Sequence, residues 1–87
     1  MEIRKKATAG TMQSSDLMVS VEPSPQLEIL IESTVKKQYE HLIRARIAAV
    51  LERFKITAGT IKVTDRGALD YAIEARIETA LRRATEG

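Results

Sequence analysis

The sequence predicts a small two-layer α+β domain, an antiparallel β-meander with two helices packed on one face, in the order strand, strand, strand, helix, strand, helix. Three observations carry that expectation. Between Leu17 and Ile31 apolar and polar residues alternate in two short runs, the period of a half-buried strand. From Val35 to Phe54, and again from Leu69 to Ala84, apolar residues instead recur three or four apart, the period of an amphipathic helix. A chain of 87 residues suffices for one core, so residues 1–87 read as a single domain.

Met1 to Lys6 reads as a frayed or edge lead-in, and Ala7 to Met12 as a weak first strand in which threonines alternate loosely with small residues. From Asp16 the pattern sharpens: Leu17, Val19 and Val21 share one face, Met18, Ser20 and Glu22 the other. Pro23 and Pro25 cannot donate to a ladder and end this strand. Leu27, Ile29 and Ile31 resume the alternation with Glu28 and Glu32 outward, Leu30 being the exception. The connection is short, so the two runs are expected to pair antiparallel, with Ala7 to Met12 completing the meander across a turn at Ser14.

Ser33-Thr34 offers an N-cap for a helix running to about Lys55. Its inner stripe is Val35, Tyr39, Leu42, Ile43, Ile47, Val50, Leu51 and Phe54, and Lys36, Lys37, Glu40, Arg44, Arg46, Glu52 and Arg53 lie opposite, as a solvated face or a docking surface. Thr57 to Gly59 closes the helix, and Thr60 to Thr64 forms a short strand with Ile61 and Val63 on one face. Were that strand to join the sheet parallel to a neighbour, the long helix would be its right-handed crossover. Asp65-Arg66-Gly67 makes a turn in which Asp65 can cap the last helix, from about Ala68 to Ala84. There Leu69, Ile73, Ile77 and Leu81 form a row every four residues, with Ala72, Ala80 and Ala84 small enough to let the helix lie close to a sheet.

Composition removes most chemistries. Without cysteine there is no disulfide, thiolate metal site or cysteine nucleophile. His41 is the one histidine; it falls near the polar side of the helix, with no carboxylate three or four residues away to orient it as a base. The net charge of +2 is spread too evenly for a dedicated nucleic-acid surface. Arg4-Lys5-Lys6 is followed by no apolar stretch of signal-peptide type, and nothing approaches membrane-spanning length, so a cytoplasmic location is expected. No paired carboxylates, phosphate-cradling loop or metal-ligand cluster stands out, so the chain is not expected to be an enzyme of its own.

What remains is Ser14 and Ser15, set in the polar gap of Ala9-Gly-Thr-Met-Gln-Ser-Ser-Asp-Leu-Met18. An ordinary β-turn accounts for these residues, because serine and aspartate satisfy local backbone N–H groups. An exposed hydroxyl at a hairpin tip, loaded by another enzyme, is the alternative, and turn serines far outnumber modified ones.

That stretch, with Ser33-Thr-Val-Lys-Lys-Gln38, Asp65-Arg-Gly-Ala-Leu-Asp70 and Glu74-Ala-Arg76 following in order, resembles the acyl carrier (gamma) subunit of citrate lyase almost from end to end. The resemblance implies a phosphoribosyl-dephospho-CoA prosthetic group held through a phosphodiester on Ser14, with Ser15 as the fallback, its thiol bearing an acetyl and then a citryl thioester. It implies as partners an alpha subunit that exchanges acetyl for citrate, a beta subunit that cleaves the citryl thioester to oxaloacetate, and a prosthetic-group transferase. Gln13 stands where the family commonly has an acidic residue, and Ser15 where glycine is frequent. The carrier subunit of malonate decarboxylase is the nearest alternative, though the Gly67-Ala-Leu-Asp70 block favours citrate lyase. A small RNA-binding α+β module is the alternative of another class, and the predicted strands lack the aromatic residues that stack bases.

Overall fold

The structure, a computed structural model, describes residues 1–33, 39–68 and 70–86. Within it the alternating runs become strands β1 (Ala7–Gly10), β2 (Leu17–Glu22) and β3 (Leu27–Ser33), followed by helix α1 (Glu40–Arg53), strand β4 (Gly59–Asp65) and helix α2 (Asp70–Thr85). The architecture is α+β in two layers with the expected element order. One face of the sheet is covered by α2, lying over β1 and β2, and by α1, which packs on α2 and reaches β3. Leu17, Val19 and Val21 of β2, Ile61 and Val63 of β4, Ile47 and Val50 of α1, and Ile77, Ala80, Leu81 and Ala84 of α2 are completely buried between the layers.

The sheet is not a simple meander. Its order is β1-β2-β4-β3: β1 and β4 each pair antiparallel with β2, and β3 pairs parallel with β4. The expected pairing of β2 with β3 is therefore corrected in adjacency but not in direction, since the two run antiparallel with β4 inserted between them. Burial explains the insertion. The inward residues of β2 and β4 are completely covered, as central strands require, whereas β3 leaves Leu27 and Leu30 over 40% exposed and suits an edge. Four residues, Pro23 to Gln26, step across β4, a distance of roughly two strand spacings or about 10 Å, within reach of an extended chain of that length. The β3-α1-β4 unit is thus a crossover between parallel strands.

Local boundaries also differ from expectation. Met1 to Lys6 is tied down: Ile3 is buried, and the N–H groups of Arg4 and Lys5 donate to Ala84 O at 2.9 and 3.2 Å. β1 ends at Gly10 rather than Met12. Ser33 does not cap α1; it ends β3 and its hydroxyl donates to Asp65 Oδ2 at 3.1 Å. Thr34, Val35, Lys36, Lys37 and Leu69 lie outside the described residues. Helix α1 closes before Gly59, through Lys55 at φ +56 and a bond from Ile56 N–H to Leu51 O at 2.9 Å. Gly59 opens β4 instead, where Ile3 packs so near that a Cβ would meet its Cδ1 at 2.5 Å.

The charged face of α1 is partly engaged within the chain. Arg46 and Arg53 reach across to Glu74 and Glu78 of α2 at 3.3 and 3.1 Å, and Arg44 lies against Glu40 and Ile29 O. Among the described residues no helix is long and apolar enough to cross a membrane.

Candidate functional site

The β1–β2 connection is built by three close backbone approaches. At Gly10, φ +89, Leu17 O comes so near that a Cβ would lie 1.9 Å from it, which excludes every side chain. Beyond it Thr11 N–H donates to Leu17 O at 3.2 Å, and Asp16 N–H donates to Gln13 O at 3.2 Å, closing a four-residue turn. Ser15, third in that turn, has φ +64, while Ser14 before it is not in the left-handed region. That combination is of type II, whose third position favours glycine. Ser14 therefore occupies the outer corner.

The turn is pinned from the side by β4. Ser15 N–H donates to Arg66 O at 2.9 Å and Arg66 N–H donates to Asp16 O at 2.8 Å, so two residues of one strand face one of the other. This is a bulge, a device that bends a ladder and re-aims the side chains beside it. Arg66 also reaches back with its side chain, Nε donating to Met12 O at 3.4 Å.

Asp16 is the electrostatic centre. Its Oδ2 accepts from Thr11 Oγ1 at 2.6 Å and Arg76 Nη2 at 3.1 Å, and its Oδ1 from Leu17 N–H at 2.7 Å and Arg76 Nε at 3.2 Å. Thr11 Oγ1 in turn accepts from Gln13 N–H at 3.3 Å. The carboxylate thus joins both ends of the loop and fixes them to α2. Chiefly the Thr11 hydroxyl, then the Leu17 N–H and Arg76, hold the Asp16 pKa down from 3.8 to about 2, because each bond favours the charged form. Next to Leu17 in register, the buried Asp65 accepts from Ser33 Oγ and from the N–H groups of Gly67 and Ala68, at 3.2 and 3.0 Å, ordering the approach to α2 as its turn position suggested.

Both serines are exposed, and they differ in attachment. Ser15 is held by its backbone, whereas Ser14 makes no hydrogen bond with another described residue. Among the described residues neither hydroxyl is bonded to a histidine or carboxylate. Sequence reasoning located the serine pair but missed the roles of Thr11, Arg66 and Arg76. The turn preference of Asp16 is a local signal; its Arg76 partner, sixty residues on, leaves none in the spacing.

Residues 4–84 match the acyl carrier family model described as "Malonate decarboxylase delta subunit (MdcD)". A citrate lyase acyl carrier protein of Haemophilus influenzae (strain PittEE) is 46% identical over 86 residues, covering 99% of this chain and 90% of the relative. That of Halothermothrix orenii is 46% identical, covering all of this chain and 94% of its own length, and that of Treponema denticola 41% identical, covering 99% of each. The chain belongs to the citrate lyase acyl carrier protein family. Among solved structures, a chain in the crystal structure of a Pseudomonas malonate decarboxylase hetero-tetramer in complex with malonate is similar with a TM-score of 0.74 and 25% identity, covering 94% of this chain and 86% of that one. Citrate lyase acyl carrier proteins are non-catalytic subunits that bear a covalently attached prosthetic group.

Proposed function

We propose that this chain is the acyl carrier subunit of a citrate lyase, and that Ser14 holds phosphoribosyl-dephospho-CoA through a phosphodiester. Its partners on this reading are the alpha subunit, which exchanges acetyl for citrate, the beta subunit, which cleaves the citryl product to acetyl carrier and oxaloacetate, and the transferase that loads the serine. The observation that carries the reading is one exposed hydroxyl at the corner of a turn whose backbone is pinned on both sides, to Gln13 and Leu17 within the hairpin and to Arg66 across it. The residues fit the group: nothing among the described residues is bonded to the Ser14 hydroxyl, and a cation, Arg66, reaches the same loop at Met12 O.

When bound, the group supplies a thiol at the end of a long arm, on which the acyl cargo rides. The chain's own residues have the narrower task of holding the arm's root still while its far end visits two active sites, and a rigid mount keeps the effective concentration at each site high. Thr11, Asp16 and Arg76 perform that task by locking the hairpin to α2. The full-length identity of 41–46% to citrate lyase carriers, against 25% to the malonate decarboxylase chain, favours citrate as the substrate of the assembly. The open face of the sheet, with Met18, Ser20, Thr60 and Lys62, has no aromatic side chain on which a base could stack, which weighs against the RNA-binding alternative.

Reconstitution tests the reading. Loaded protein added to carrier-free citrate lyase alpha and beta subunits is expected to restore oxaloacetate formation from citrate. Restoration of malonate decarboxylation in the parallel mixture, with no citrate cleavage, would assign the chain to malonate decarboxylase instead.

A further inference from the structure

Of the two arginines at the hairpin, Arg76 is consumed by Asp16, both of whose oxygens it holds. Arg66 is not. Among the described residues no carboxylate lies within ion-pair distance of it, and its side chain makes a single long bond, from Nε to Met12 O at 3.4 Å. Of the two, the Arg66 guanidinium is the one without a carboxylate partner among the described residues. Arg66 also brackets Ser14. Its side chain touches Met12, two residues before Ser14, and its backbone carbonyl holds Ser15, the residue after. With its backbone at Ser15 and its side chain at Met12 O, Arg66 lies along both flanks of the corner, and its exposed guanidinium is held there by one long bond only.

We propose that Arg66 binds the phosphate of the serine linkage, a conclusion that rests on Ser14 being the attachment point. A phosphodiester carries one negative charge, and the Arg66 guanidinium has no carboxylate of its own among the described residues. The planar guanidinium can give two parallel N–H bonds to two phosphate oxygens, an arrangement lysine cannot copy. Little is lost in forming them, because the bond to Met12 O lies beyond the usual range for N–H···O. The phosphate so held would orient the root of the arm away from the bulge, and Arg66 would be a positioning residue for delivery.

Side-chain NMR tests this without recourse to activity. In 15N-labelled protein loaded by its transferase, at low salt, the Arg66 Nε–H resonance is expected to move more than that of any other arginine, while Arg76 stays in place. The assignment comes from its loss in Arg66→Lys. The 31P resonance of the linkage should shift in Arg66→Gln and return only partly in Arg66→Lys. Peptide mass mapping of the same samples separates the two ways of failing. An unmoved Arg66 resonance in protein loaded at Ser14 overturns this proposal alone, and a group found on another residue overturns the attachment reading and this proposal with it.

Discussion

Ser15 holds φ +64, where the Cβ of any residue but glycine crowds the neighbouring carbonyl at a cost of roughly 1 kcal/mol. Ser15→Gly is therefore expected to raise stability in urea by up to about 1 kcal/mol and to leave loading unchanged; a loss of stability would show that the Ser15 side chain contributes more than its conformation takes away. Asp16 gives a pH signature. Its folded pKa is depressed, so its contribution is fully present above the ordinary value of 3.8 and is lost as pH falls through about 2. Amide exchange at Leu17 and Gln13 should accelerate across that window, and Asp16→Asn should show the fast exchange at neutral pH as well. At this scale the sequence exposed the serine pair, because Ser-Ser-Asp after a small-residue run is a local turn signal. It hid the Asp16–Arg76 pair, which exists only after α2 has docked on β2.

The helices and the central strands were legible because burial sets their period. Leu17, Val19, Val21, Ile61, Val63, Ile73, Ile77 and Leu81 all point into the core as their spacing required. Adjacency was not legible: the Pro23 to Gln26 connection is equally compatible with a hairpin and with a step across an intervening strand, and the choice fell to β4, whose inward face is the more completely buried. The start of the α1 stripe also misled, since Tyr39 and Leu42, expected inside, are 46% and 51% exposed. They border an open cleft of about 250 Å³ beside Ala68 and Ile73. Ile77→Asp sets an unpaired charge against the completely buried sheet face, at several kcal/mol in a domain whose total stability is about 5 to 10 kcal/mol. No cooperative thermal transition is expected for it, and a wild-type melting temperature would place this face outside the core.

Across the whole molecule, the two helices are held together by the core and only trimmed by charge. The Arg46–Glu74 and Arg53–Glu78 pairs are each about one-third to one-half exposed, so each is worth less than about 1 kcal/mol. Arg46→Glu should lower the melting temperature by only a few degrees, with Glu74→Arg in the same chain recovering most of it; a loss above about 2 kcal/mol would give the pair a structural weight that its exposure denies. Ser14, which makes no hydrogen bond with another described residue, sits on a hairpin held by Arg66 and Arg76, and on the proposed reading it alone carries the group. Intact-mass and peptide-mass measurement of Ser14→Ala and Ser15→Ala, each co-expressed with the prosthetic-group transferase, tests that account most directly. It predicts two folded proteins with unchanged melting temperatures, the first without the added mass and the second with it. Full loading of Ser14→Ala would contradict it.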